Sequence, residues 1–217
     1  MRSPISITVS LLAALALATT ALSRVAAETH AAEAPDPFSY DAPEGWKPER
    51  IPFPLGFAPS LPYKGFEQLR FAPGMFDPKS DTYFTYFFFW WLAGEPRITT
   101  DGLARDLTEY YKGLCGAVGG AKKVTLDLSK VRTRVERAAL GKPTLPFRTE
   151  RFAGVIEAYD PFATSQPITL NVEIWAWRCD KARRTCIFFG VSPKPTTDPV
   201  WAPMRTALAS FRCARPQ

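Results

Sequence analysis

The sequence predicts an α+β domain: a mostly antiparallel sheet of about six strands with two helices packed on it, behind a proline-rich N-terminal arm. Three observations carry this. Apolar or alternating runs of strand length recur between turn-forming clusters, two segments place apolar residues at helical spacing, and prolines crowd residues 28–64. With 46% hydrophobic and 22% charged residues among 217, the composition excludes the disordered and fibrous classes.

At the N-terminus, Arg2 precedes an apolar run from about Ile5 to Leu22, and Val25-Ala26-Ala27 puts small residues where a signal peptidase reads. Residues 1–27 are expected to form a cleaved signal peptide. A retained anchor fits less well, because Ser6, Thr8, Ser10, Thr19 and Thr20 interrupt a run barely long enough to span a bilayer. No cysteine lies beside the cleavage point, which argues against a lipoprotein. Cleavage removes Arg2 and Arg24 and no acidic residue, so the net charge falls from +6 to +4. The most apolar later stretch, Tyr83 to Ala93, is too short to cross a membrane. The expected product is soluble, periplasmic or secreted, with no membrane span.

Residues 28–64 hold Pro35, Pro37, Pro43, Pro48, Pro52, Pro54, Pro59 and Pro62, which deny this arm both helix and central strand. Its start, through Pro37, reads as a disordered tail, and packing is expected from about Trp46. Residues 65–217 read as one domain. A short strand near Glu67 to Phe71 leads through a turn-rich loop, Asp77-Pro78-Lys79-Ser80-Asp81, into a long strand from Thr82 to Leu92. Both faces of that strand are apolar: Phe84, Tyr86, Phe88, Trp90 and Leu92 on one, Tyr83, Phe87, Phe89 and Trp91 on the other. Both therefore need cover, which places the strand inside the sheet.

Thr99 or Thr100 caps a helix with Leu103, Leu107, Tyr110, Leu114 and Val118 on one stripe, ending at Gly119-Gly120. Strands are expected near Lys123 to Val135, Phe152 to Tyr159, Ile168 to Arg178 and Thr185 to Val191. In the third, Ile168, Leu170, Val172, Ile174 and Ala176 oppose Thr169, Asn171 and Glu173, and Trp175 and Trp177 continue the polar face. Those two tryptophans need a cover, a partner or a ligand. Asp198-Pro199 starts a second helix carrying Trp201, Met204, Leu208 and Phe211, regular only from Ala202 because of Pro203.

Export makes paired thiols the default for Cys115, Cys179, Cys186 and Cys213, whose spacing fits no zinc pattern. Cys179 and Cys186 bracket a polar turn at the root of a hairpin and are expected to pair, leaving Cys115 for Cys213; four cysteines allow three connectivities.

The only histidine, His30, lies in the polar tail, which removes histidine-based triads and metal sites. No nucleophile elbow, phosphate-binding glycine loop or EF-hand spacing occurs, and neither cofactor nor metal is expected. Asp77 and Asp81 beside the aromatic strand could act as an acid and base on a sugar, but turn formation accounts better for both. Glu157, Asp160 and Glu173 are expected as solvated strand residues.

The basic stretch Lys130, Arg132, Arg134, Arg137, Lys142, Arg148 and Arg151 is a candidate surface for an anionic partner, with Lys130, Arg132 and Arg134 at its centre. Its plainer role is a solvated hairpin whose charges protect a sheet edge. Nucleic acid is not expected, since interleaved stacking aromatics are missing. Trp175 and Trp177 are the candidate ligand-binding residues.

The run Tyr83-Phe84-Thr85-Tyr86-Phe87-Phe88-Phe89-Trp90-Trp91, the helix with Leu103 and Leu107, and the terminal Trp201 to Phe211 follow an element order that resembles the PsbP-like fold over roughly Gly65 to Cys213. The resemblance implies an α/β/α sandwich around an antiparallel sheet, and a binding role, because proteins of that fold are mostly non-enzymatic accessory or assembly factors. The expectation is an exported, soluble binding or accessory protein for an unidentified protein or envelope component. The alternative is a cell-envelope carbohydrate hydrolase using a carboxylate pair such as Asp77 and Asp81.

Overall fold

The computed structural model describes residues 36–213. The expected signal peptide and the first residues of the arm lie outside this range. From the arm come β1 (Phe38–Ser39) and β2 (Lys47–Pro52), followed by β3 (Gly65–Phe71), β4 (Tyr86–Ala93) and α1 (Thr100–Ala121). Then follow β5 (Arg132–Arg137), β6 (Thr149–Tyr159), β7 (Pro167–Cys179), β8 (Arg184–Ser192), α2 (Ala202–Ala209) and β9 (Arg212–Cys213). Seven strands form one sheet in the order β2-β3-β4-β8-β7-β6-β5, every neighbour antiparallel, and β1 pairs with β9 in a two-stranded ribbon. The fold is α+β and mostly sheet, with slightly more strands than the sequence suggested. No helix among the described residues is long and apolar enough to cross a membrane.

The helices lie on opposite faces of the sheet, and β4 shows why both are needed. Its Tyr86, Phe88, Trp90 and Leu92 join a core with Leu103, Leu107, Tyr110 and Tyr111 of α1. Its Phe87, Phe89 and Trp91 join a second core with Met204, Ala207 and Leu208 of α2. Complete burial of each such side chain contributes about 1.5–3 kcal/mol, so a strand with two apolar faces is stable only inside a sandwich. The strand begins at Tyr86 rather than Thr82, because Phe84 takes a left-handed conformation (φ 50°) in a tight turn that drops its ring into the first core.

Thr99 caps α1 as expected, its hydroxyl accepting from the Gly102 N–H at 3.0 Å. Residues 123–131 are not strand. Asp127 caps a short 3₁₀ turn at Leu128–Lys130 by accepting from Ser129 N–H, and β5 starts only at Arg132. At this outer edge, Thr108 of α1 accepts the Thr133 N–H at 3.0 Å and blunts the strand. The other edge, β2, tolerates Pro48 and Pro52 because it pairs only with β3. The second helix is regular from Ala202, after a 3₁₀ turn at Pro199–Trp201 capped by Asp198.

Two expectations need correction. Packing begins well before Trp46: Phe38 is buried against Phe66, Phe89, Trp91 and Phe211, because β1 is tied down by β9. The disulfide joins Cys179 to Cys213, with Cα atoms 5.8 Å apart, while Cys115 and Cys186 are buried thiols. In the β7–β8 hairpin Cys179 faces Arg184 and Cys186 faces Trp177, so the expected pair is two residues out of register. Cys115 belongs to the α1-side core and Cys213 packs on the α2-side core, so the sheet separates them.

Candidate functional site

β5 and β6 are joined by the eleven-residue segment 138–148, Ala-Ala-Leu-Gly-Lys-Pro-Thr-Leu-Pro-Phe-Arg, whose glycine and two prolines prevent the hairpin from closing tightly. Instead the segment lies over the α2-side face of the sheet. Leu145 is buried in the second core, and Phe147 stacks on Trp177 with ring centroids 5.9 Å apart. Between this segment and the sheet is a cleft of about 420 Å³, bordered by Leu140, Lys142, Leu145, Phe147, Thr149 and Trp175. That volume falls within the usual range of small-molecule sites, about 300–1,000 Å³. Across Phe147 a second cleft of about 400 Å³ is bordered by Arg178, Lys181, Arg212 and the disulfide.

The structure supplies the cover that Trp175 and Trp177 required. They are 1% and 3% exposed, packed among α2, Phe211 and the 138–148 segment, so neither stands free as an open stacking platform. Trp175 nevertheless borders the cleft, and its indole N–H is buried without a hydrogen-bond partner. An unpaired buried N–H costs about 1–3 kcal/mol.

Beside Trp175 lies a charge cluster that strand alternation did not reveal. Glu173, expected in solvent, is 3% exposed. Its carboxylate accepts from Arg151 Nη2 at 3.2 Å and from Arg205 of α2 at 2.8 Å (Nη2) and 3.2 Å (Nε). The Arg151 guanidinium sits 5.1 Å from the centroid of the Trp175 ring, and its Nη1 donates to Ala139 O beneath the segment. Its Nε is buried and unpartnered. The signal for this cluster was Arg205 on α2, a cation on a helix that must cover a polar strand face.

Asp160, the other carboxylate expected in solvent, is 1% exposed and organises the β6–β7 loop. It accepts from the N–H groups of Phe162, Ala163 and Thr164, from the Thr164 hydroxyl and from Tyr83 OH. Burial pushes its pKa up, but those donors pull harder and leave it below the ordinary value.

On the α1 side a third carboxyl, Glu67 of β3, is fully buried. One oxygen accepts from Tyr110 OH at 2.9 Å. The Trp90 indole lies close enough to lower the pKa somewhat, yet Glu67 Oε2 and Trp90 Nε1 complete no hydrogen bond. Desolvation outweighs both neighbours and pushes the Glu67 pKa up to about 8, so this group is a neutral acid at pH 7. Nearby, Tyr63 OH donates to the buried Asp106, and Tyr86 and Tyr111 share a hydrogen bond between hydroxyls. Glu67, Tyr86, Tyr110 and Tyr111 are buried in the core, whereas Tyr63 is half-buried and Asp106 also meets the exposed Arg105; none of them borders a described cleft.

Asp77 and Asp81 are both exposed. Asp77 accepts the Lys79 N–H at 2.9 Å and its carbonyl accepts the Ser80 N–H, the geometry of a turn former. Neither residue borders a described cleft. Lys130, Arg132 and Arg134 are brought together at the β5 edge, but acids answer them: Lys130 meets Asp127 at 3.5 Å, and Arg132 and Arg134 share Glu157. Lys130 and Arg132 border a cleft of about 370 Å³ and Arg134 another of about 410 Å³, both polar-rimmed and on the outer strands.

No family model, curated protein or solved structure matches the chain. The likeness to the PsbP-like fold therefore rests on element order alone.

Proposed function

We propose that this is an exported binding or accessory protein that holds a small ligand, without turning it over, in the cleft between residues 138–148 and Trp175. Export is supported by the leader-like N-terminus and by the disulfide between Cys179 and Cys213. The observation that carries the binding site is the ligand-sized cleft itself, bordered by Trp175 and by an apolar wall that includes the exposed Leu140. Around it the cleft offers Leu140, Leu145 and Phe147 for apolar contact and Lys142 for charge, the usual mixture of apolar walls and a few polar anchors. The turn roles of Asp77 and Asp81 give the hydrolase alternative no support.

The test is mass spectrometry under native and denaturing conditions on protein recovered from its own host. The intact mass is expected to lack residues 1–27. The native mass is expected to carry a non-covalent addition that is absent from Thr144→Trp, a substitution at an exposed residue that fills the cleft. An addition retained by the filled variant, or a wild type that is empty, would remove the cleft as the functional site. Retention of residues 1–27 would remove the export reading.

A further inference from the structure

We propose that Cys213 is a thiolation site: the cleft bordered by the Cys179–Cys213 disulfide receives a small anionic thiol, which exchanges with that disulfide and loosens the ribbon of β1 and β9. Each half of the disulfide follows an arginine in sequence, Arg178-Cys179 and Arg212-Cys213, and the bond draws the two pairs together. Both arginines, both cysteines and Lys181 border the cleft of about 400 Å³ beside Phe147. Asp180 is the one carboxylate bordering it among the described residues, and it lies 2.9 Å from Arg178 Nε, while Arg178 Nη1 meets Glu95 at 2.6 Å. Lys181 and Arg212 are exposed and make no ion pair among the described residues. Even with Glu95 counted, three cations stand against two acids, and the two unpaired cations are the ones open to solvent.

That charge matters because of the chemistry of a disulfide. In thiol–disulfide exchange the attacking and departing sulfurs both carry negative charge, which neighbouring cations stabilise. A cleft of this volume is about 9 Å across, less than the Debye length of about 10 Å at 0.1 M salt, so its cations act on a thiolate that has entered before salt screens them. A thiol with a further negative group is drawn in by that group as well. A cationic thiol is repelled.

Exposure selects the sulfur that is attacked: Cys213 is half-buried, whereas Cys179 is 2% exposed. The incoming thiolate bonds to Cys213 Sγ as the bond to Cys179 breaks, and the electron pair of that bond leaves on Cys179, which takes a proton from water. A second thiol then attacks the sulfur of the first, departs with it as their own disulfide and returns Cys213 as a thiol; two thiols are oxidised and one cystine is reduced. The structural consequence falls on the ribbon. Besides the disulfide, it is held by the two-residue register of Phe38 with Cys213 and Ser39 with Arg212, and by Ser210 Oγ, which accepts the Asp41 N–H at 2.8 Å. Phe38 covers Phe89 and Trp91 in the second core, so thiolation at Cys213 loosens that cover.

The experiment treats the disulfide-bonded protein with excess mercaptoethanesulfonate, mercaptoethanol or cysteamine, traps the products by alkylation and follows them by peptide mass spectrometry, with rates compared per thiolate. At low ionic strength the sulfonate is expected to react at least tenfold faster than cysteamine, with mercaptoethanol between them, and the gap should close to about threefold in 1 M salt, where the Debye length is about 3 Å. The trapped adduct should sit on Cys213, with Cys179 alkylated. Lys181→Gln combined with Arg212→Gln, both at exposed positions, should close the gap as salt does, whereas Lys79→Gln, an exposed cation away from the cleft, should leave it open. Faster hydrogen exchange at Phe38 and Ser39 in the adduct is the expected sign of a loosened ribbon, and unchanged exchange there would overturn that consequence. Equal rates for the three thiols, a gap that ignores the double variant, or an adduct on Cys179 would overturn the site. So would a rate that does not rise with thiol concentration, because the disulfide would then be reached only by unfolding.

Discussion

The buried Glu67 makes stability depend on pH in a direction opposite to that of an ordinary paired carboxylate. Its pKa rises from 4.5 to about 8 on folding, because burial disfavours the charged form by more than Tyr110 and Trp90 favour it. Below pH 4.5 the group is protonated in both states and costs nothing. Between 4.5 and about 8 the unfolded chain releases the proton and the folded chain keeps it, so stability declines as pH rises. At about 1.4 kcal/mol per pH unit, the cost is about 3 kcal/mol at pH 7 and levels off near 5 kcal/mol above pH 8. Glu67→Gln retains an oxygen that accepts from Tyr110 and cannot ionise. It should be near neutral around pH 4.5 and increasingly stabilising up to pH 8. Urea unfolding of both proteins across this range measures the difference directly, free of groups that titrate alike in both. A difference that stays flat within about 1 kcal/mol would refute the reasoning, since it would mean that Glu67 ionises in the folded protein as it does in the unfolded one.

Reduction should add the mass of two hydrogens rather than four, and thiol titration of the unfolded, unreduced chain should find two free groups, Cys115 and Cys186. Cys213→Ser opens a loop of 34 residues and should cost about 4 kcal/mol on the chain-entropy model; an unchanged unfolding midpoint would place the disulfide elsewhere. Glu173→Gln leaves Arg151 and Arg205 without a counter-charge beneath α2 and should destabilise by about 3 kcal/mol in thermal unfolding, with a null result excluding the cluster from the fold's energetics. Gly113→Ala brings a methyl group within 2.0 Å of the Phe57 carbonyl oxygen and should cost about 1–3 kcal/mol, while Gly120→Ala meets open space on the same helix and should gain up to about 1 kcal/mol; equal effects would refute the close approach of residues 57–58 to α1.

What could be read from the chain was whatever is encoded locally. The double apolar face of Tyr86 to Leu92 announced an interior strand, and Thr99 with its stripe announced α1, because periodicity and capping involve residues at most a few places apart. The errors share a different origin. Glu173 looked solvated because its partners, Arg151 and Arg205, lie 22 and 32 residues away. Glu67 drew no comment in the sequence beyond opening a short strand, because Tyr110, which meets it, is 43 residues on. The disulfide was misassigned by the hairpin's register, which depends on a 3₁₀ turn at Asp180–Ala182 and a left-handed Arg183 that composition does not specify. Trp175 was legible as an anomaly, an aromatic on a polar face, and that anomaly led to the cleft even though the residue is not exposed.

The position of the cleft follows from helix length. Six gaps of about 4.8 Å make the seven-stranded sheet about 29 Å wide. At 1.5 Å per residue, the 22 residues of α1 extend about 33 Å, and the helix packs against residues of β3 and β4 as well as β5 and β6. The eight residues of α2 extend only about 12 Å. They cover part of the opposite face, and the remainder is left to what the chain can fold over it: β1 with Phe38 near β4, and residues 138–148 near β6 and β7. Irregular segments with prolines cannot interlock with a pleated surface as a helix does, so the seam between the 138–148 segment and the sheet is where a void can persist. The short helix leaves part of this face to residues 138–148, and with them the cleft that Trp175 borders.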